Sequence, residues 1–269
     1  MIDGPLLAVY LTLGALVGFL AGLLGIGGGF TIVPVLMEVF RYEGFPSSHL
    51  LTLAIGTSSA SIVFTALSSA RAHHRRGAVA WNIVWPMAPG LVIGSLIGPQ
   101  IASALPMRVM AGFVGSITWF AGSRMLLNRA PRVAHALPGK RALFSMGALI
   151  GVVAGMAGTA GAYLAVPFMV RSNVKVHTAV ATSAAIGWPV AVTATLGYIL
   201  AGLRQPDLPG YAIGYVYLPA LAGIAVASML LAPLGARLAH SWPVLRFRRA
   251  FSVMLLVIGG YMWWRALSG

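Results

Sequence analysis

Residues 14–34 read GALVGFLAGLLGIGGGFTIVP, and residues 147–167 read GALIGVVAGMAGTAGAYLAVP. Gly14, Gly18, Gly22, Gly25, Gly28 and Pro34 align with Gly147, Gly151, Gly155, Gly158, Gly161 and Pro167 at a constant offset of 147 − 14 = 133. Six Gly/Pro identities in one register mark an internal repeat, which organises the whole chain. A second match follows. Ala54–Ser58 (AIGTS) aligns with Ala179–Ser183 (AVATS) at 179 − 54 = 125, so the first copy has a loop longer by 133 − 125 = 8 residues.

The solvent of this repeat is lipid. Of 269 residues, 59% are hydrophobic and 8% charged, with a mean hydropathy of +0.89. A soluble domain carries about 25% charged residues. Apolar segments run over 5–37, 50–70, 81–101 and 107–127, then over 142–170, 176–201, 211–236 and 250–264. About 20 apolar residues suffice to cross a bilayer as helix, and the alternation of a membrane barrel strand is absent. The expectation is an all-α integral membrane protein with one integrated membrane domain. Repeats at 1–127 and 142–269 are joined by the basic linker 128–141 (NRAPRVAHALPGKR). The net charge of +14 sits in short loops between apolar segments, as the positive-inside rule expects, and no basic-aromatic module for nucleic acid appears. Cysteine is absent, which excludes disulfides, thiol nucleophiles and cysteine metal sites. No basic leader precedes the first apolar run, so that run is read as part of the mature fold.

The two glycine segments are too long for one straight span, since 33 residues of helix reach about 50 Å. Their centres, Gly25–Gly29 and Gly158–Ala162, hold small residues, and Gly costs about 1 kcal/mol against Ala within a helix. The basic residues test how such a broken segment folds. If all eight segments cross once, the 18 Lys and Arg divide 10 to 8 between the two sides. If each glycine segment turns back, 14 fall on one side, and only Arg41, Arg108, Arg204 and Arg265 fall on the other. Positive-inside bias favours the second arrangement and makes the 14-charge side cytoplasmic. Each copy is then a glycine-broken helical hairpin followed by three transmembrane helices. Three crossings being odd, the copies have inverted topology, as in many secondary transporters, and both termini lie outside.

A hairpin tip at membrane depth leaves backbone N–H groups free at the start of its second arm. A helix N-terminus carries about +0.5 charge and attracts anions, and Gly lets a ligand approach the backbone closely. The candidate binding residues are Gly25, Gly27, Gly28, Gly29, Phe30 and Thr31 in the first copy, with Gly158, Thr159 and Gly161 in the second. Thr57, Ser58, Thr182 and Ser183 of the AIGTS/AVATS motifs add hydroxyls. The alternative is that Ser and Thr pack helices and bond backbone carbonyls. Gly14, Gly18 and Gly22, spaced by four, fit helix packing instead. Gly25–Gly29 lacks the Lys-Ser/Thr of a P-loop, and no nucleophile elbow suggests a hydrolase. No catalytic residue, metal site or cofactor is expected. No acidic residue lies mid-membrane; Glu38, just past the first hairpin, is read as a solvated interfacial carboxylate.

The run G-x-x-x-G-x-x-G-I-G-G-G-x-x-x-x-P at Gly18–Pro34, repeated in weaker form at Gly151–Pro167, resembles the sulfite exporter TauE/SafE family, as does the T-S signature after each hairpin. The second motif departs, with Thr159, Ala160 and Ala162 where the first has Ile26, Gly27 and Gly29. The resemblance implies a transporter in the cell membrane that moves sulfite or a sulfonate-type anion. The expected partners are a small anionic substrate and the lipid bilayer, with no nucleic acid; a homo-oligomer is also allowed. A channel-like anion pathway and a non-transporting membrane enzyme or assembly protein remain alternatives.

Overall fold

The computed structural model describes residues 4–24, 28–127, 136–238 and 244–268. The first half holds α1 (Gly4–Leu24), α2 (Gly29–Tyr42), α3 (Leu50–His74), α4 (Trp81–Ala104) and α5 (Met107–Leu127). The second holds α6 (Lys140–Ala157), α7 (Ala162–Arg171), α8 (Val176–Gly202), α9 (Leu218–Leu238) and α10 (Val244–Ser268). Between α8 and α9 lies a small antiparallel hairpin, β1 (Ala212–Ile213) and β2 (Val216–Tyr217).

Both glycine segments break where the small residues cluster, into a long first arm and a short second arm of 14 residues in α2 and 10 in α7. Seven described helices are long and apolar enough to cross a bilayer: α1, α3, α4, α6, α8, α9 and α10. The protein is an all-α, multi-pass membrane protein. Two expectations need adjusting. The segment expected at 211–236 starts as the β1–β2 turn, with Tyr211 and Gly214 at φ +65° and +54°, and becomes helix only at Leu218. The segment 107–127 forms α5 but is not among the seven, because Arg108, Ser116, Thr118, Ser123 and Arg124 dilute its apolar surface.

Residue contacts set the direction of each helix. Gly223 of α9 lies on Tyr10 of α1, while Gly14, Gly18 and Gly235 bring Ile224, Ser228 and Phe19 into contact. Contacts climb both helices together, so α1 and α9 run parallel. Gly90, Gly94 and Gly98 of α4 meet Phe144, Ala148 and Val152 of α6 in the same ascending order. Thr57 and Thr65 bond Tyr217 and Ser228, making α3 parallel to α9. Ser95 and Gln100 bond Thr193 and Gly197, making α4 parallel to α8. Gly56 meets Tyr198, whereas Ile62 shares a buried cluster with Ala191, so α3 and α8 oppose each other. Thus α1, α3 and α9 point one way and α4, α6 and α8 the other.

Because α1 and α3 share a direction, α2 must return between them. The Tyr10 hydroxyl donates to Glu43, placing the end of α2 beside the start of α1. By the same reasoning α7 returns between α6 and α8, and Leu143 and Met169 share one buried cluster. Exchanging the first five helices for the last five maps α1–α9 onto α6–α4, and α3–α9 onto α8–α4.

Backbone-to-backbone approach through glycine holds these pairs, as small residues do between membrane helices. At Gly94 a Cβ would overlap the Ala148 carbonyl oxygen and come within 2.8 Å of Val152 N. Gly94→Ala is expected to lower the thermal unfolding midpoint in detergent, since overpacking costs about 1–3 kcal/mol. Gly260→Ala, at a helical site with open space around it, is the control. Equal midpoints for the two variants would refute the close α4–α6 contact.

Candidate anion site at the hairpin tips

The second tip is shaped by two left-handed glycines. Gly158 ends α6 at φ +64° and Gly161 precedes α7 at φ +74°, a conformation that glycine adopts without a Cβ penalty. The Thr159 N–H reaches back to Ala154 O at 3.0 Å. Leu164 and Ala165 N–H then bond Gly161 O at 3.1 and 3.0 Å, opening α7. The first tip does the same from Gly28, whose carbonyl accepts Thr31 and Ile32 N–H at 3.1 Å each. The N–H groups of Gly29, Phe30, Ala162 and Tyr163 precede the first intrahelical bonds of α2 and α7. Each second arm therefore presents its positive end at the tip.

The two tips meet. A Cβ on Gly29 would overlap the Gly158 carbonyl oxygen and lie 3.0 Å from Thr159 Cα. Ser58 Oγ donates to that same Gly158 oxygen at 3.0 Å. The Phe30 and Tyr163 rings pack edge to face, 4.9 Å between centroids. Of the expected site residues, the structure brings Gly29, Phe30, Ser58, Gly158 and Thr159 into contact across the tips, while Gly28, Thr31 and Gly161 flank them in sequence. Gly25 and Gly27 lie outside the described residues.

The other three hydroxyls are engaged elsewhere. Thr57 Oγ1 accepts the Tyr217 N–H and Thr182 Oγ1 accepts the Ala80 N–H, both at 3.0 Å. Tyr217 and Ala80 immediately precede α9 and α4. Each threonine thus satisfies a free N–H at the start of a helix in the opposite half, an arrangement the sequence repeat alone does not reveal. Ser183 Oγ bonds back to Val180 O at 2.8 Å.

Thr31 Oγ1, Thr159 Oγ1 and Tyr163 Oη are buried with no partner in full hydrogen-bonding geometry, although the Tyr163 and Thr159 side chains lie close enough to share a hydrogen bond. A buried hydroxyl left unpaired costs about 1–3 kcal/mol, and all three belong to the tips or to the first helical turns that follow them. Sequence reasoning missed Tyr163. The signal was the repeat offset, which aligns it with Phe30.

Beside Ala160 lies a cavity of about 20 Å³ lined by Ala21, Ile62, Thr65, Ala66, Ser69 and Ala184, room for about one water molecule. Ser58, Ser61, Thr65 and Ser69 follow one another at helical spacing along α3 and are all buried. Ser69 Oγ also makes no hydrogen bond. These hydroxyls lead from the tips towards the His74 end of α3. At the opposite face, Glu38 accepts the Tyr261 hydroxyl and pairs with Arg41 at 3.7 Å and Arg265 at 4.0 Å. Burial first, and the Glu43 carboxylate second, push the pKa of the Tyr217 hydroxyl above its ordinary value. Among the described residues, no three His, Cys, Asp or Glu come together as a metal site.

The description "Sulfite exporter TauE/SafE" matches residues 10–262. The chain belongs to the TauE/SafE family. A Haemophilus influenzae relative, named a probable membrane transporter protein, is 32% identical over 249 residues, 92% of this chain and 94% of its own. Relatives bearing the same description occur in Methanocaldococcus jannaschii and Bacillus subtilis. The first is 24% identical over 96% of this chain and 95% of its own. The second is 23% identical over 91% and 95%. No solved structure matches the chain. This TauE/SafE protein is thus a membrane transporter of its family.

Proposed function

We propose that this TauE/SafE protein carries a small oxyanion, sulfite or a sulfonate, through a site where the two hairpin tips meet. The observation that carries the reading is the contact between the two tips, Gly29 against Gly158 and Phe30 against Tyr163, with the buried hydroxyls of Thr31, Thr159 and Tyr163 in the tips and the turns that follow them. These groups solvate negative charge without a buried cation, which is expensive within a membrane. The family description supports sulfite and its organic relatives as the substrate class.

We further infer that the two halves are an inverted repeat and expose the tips to each side in turn. The opposed directions of α1 and α6, and the exchange of helix partners between halves, support this. The starts of α1 and α3 and the ends of α2 and α10 lie on one face, joined through Glu43 and Glu38. In this reading that face, with Arg41, Arg108, Arg204 and Arg265, is the outer one, and the face with 14 Lys and Arg is cytoplasmic.

The test is tracer flux in proteoliposomes with sulfite, thiosulfate, sulfoacetate and taurine as competitors. Saturable flux that sulfite or sulfoacetate inhibits is expected. Flux that rises linearly with concentration would point to a channel. No anion movement under any gradient would refute transport.

A further inference from the structure

At the arginine-poor face, about one α2 length from the tips, Arg41, Ser47, Ser48, Pro106, Met107, Arg108 and Arg265 line a cleft of about 530 Å³. That size is within the range of roughly 300–1,000 Å³ of small-ligand sites. Three of the four Lys and Arg on this face lie in the cleft. We propose that it is a second anion site, holding a tetrahedral oxyanion of the sulfonate or phosphate type at the mouth of the protein.

Charge and hydrogen bonding both point to an anion. Glu38 is the one carboxylate paired with these arginines among the described residues. Arg41 and Arg265 sit in the last turns of α2 and α10, where each helix end contributes about −0.5 charge. The first turn of α5 enters the lining with Met107 and Arg108 and contributes the opposite sign. An excess of about one and a half positive charges remains, with helix ends weighted as half charges.

Arg265 is the sharper observation. Its side chain is only 15% exposed, and Nε lies 4.0 Å from Glu38, too far for a hydrogen bond. Buried Nε has no hydrogen-bond partner. A guanidinium presents five donors in a planar fork that matches an oxyanion, and such charge-assisted bonds are about twice as strong as neutral ones. Ser47 and Ser48 add hydroxyls at the rim. The ligand is either the free oxyanion captured before it reaches the tips or the phosphate of an anionic lipid. Binding here does not depend on the tips being the transport site.

The test uses the full-length protein purified in detergent. Sulfoacetate binding is followed by calorimetry and retained phosphatidylglycerol by native mass spectrometry, for wild type, Arg108→Gln, Arg108→Lys and Thr159→Val. Arg108 is chosen because its side chain is exposed. If the ligand is a soluble oxyanion, Arg108→Gln weakens one component of sulfoacetate binding about tenfold, Arg108→Lys falls between, and Thr159→Val weakens only the component that persists in Arg108→Gln. If the ligand is a lipid phosphate, Arg108→Gln loses bound phosphatidylglycerol while sulfoacetate affinity is unchanged. Either result supports the mouth site. Arg108→Gln that alters neither sulfoacetate affinity nor lipid retention overturns it. Thr159→Val with normal flux would instead overturn the tip site and leave this one standing.

Discussion

An alanine at Gly29 is expected to cut transport at least about tenfold while leaving the helices folded. Its Cβ would overlap the Gly158 carbonyl oxygen, and Thr159 Cα lies 3.0 Å away. Both obstacles are backbone, so no rotamer change relieves them. Gly158 cannot retreat easily, because Ser58 bonds its oxygen and the left-handed turn fixes its position. The tips must separate, at a cost of about 1–3 kcal/mol. A Cβ on Gly28 would instead meet the side chain of Val17, which makes Gly28 a probe of packing between α1 and the tip. For Gly29→Ala, flux in proteoliposomes should fall at least about tenfold, the equivalent of 1.4 kcal/mol. Circular dichroism and elution volume should match wild type. Undiminished flux would mean that contact between the tips is not needed for transport.

Thr31→Val combined with Thr159→Val is expected to separate transport from stability. Valine keeps the branched shape and removes only the hydroxyl. Thr31 Oγ1 has no hydrogen-bond partner and Thr159 Oγ1 has at most a loosely aligned one in Tyr163, so their loss sacrifices little and relieves buried, poorly satisfied groups. The unfolding midpoint should hold or rise. A hydrogen bond to a charged ligand is worth about 1.5–3 kcal/mol, so the pair should raise KM for the anion about a hundredfold or more. Thr57→Val and Thr182→Val should behave in the opposite way. They strip the N–H groups of Tyr217 and Ala80 of their acceptors and should lower the midpoint by the equivalent of about 1–3 kcal/mol. A double variant with wild-type KM would make Thr31 and Thr159 filling of the core rather than ligands.

The break in each glycine segment was legible because helix cost is local: three successive glycines at 27–29 and the small residues at 158–162 state it directly. The expected return of the second arm rested on charge, since a turned-back segment moves Arg171 and Lys175 to the other side. The tips were expected to attract an anion because a helix start needs no partner to be positive. What depended on distant partners could not be read. Thr57 and Thr182 look like site hydroxyls until Tyr217 and Ala80, 160 and 102 residues away, are found to use them. Tyr163 lies in an apolar run and shows its unpaired hydroxyl only in three dimensions. The β1–β2 turn is apolar enough to pass for the start of a span. Arg41, Arg108 and Arg265 sit at the ends of three separate helices, and only folding gathers them around one cleft.

Each first arm rests on a helix of the opposite half, α1 on α9 and α6 on α4. The consequence falls on the order of synthesis. Gly14 and Gly18 emerge from the ribosome about two hundred residues before Ile224 and Ser228, the groups against which they close. Until then the N-terminal hairpin has no permanent neighbour along that glycine seam, whereas α6 finds α4 already in the bilayer. Contacts so distant in sequence form late and slowly. The two halves thus share a plan but not a history: the later-made hairpin docks on arrival, and the earlier one must wait for α9 to complete the protein.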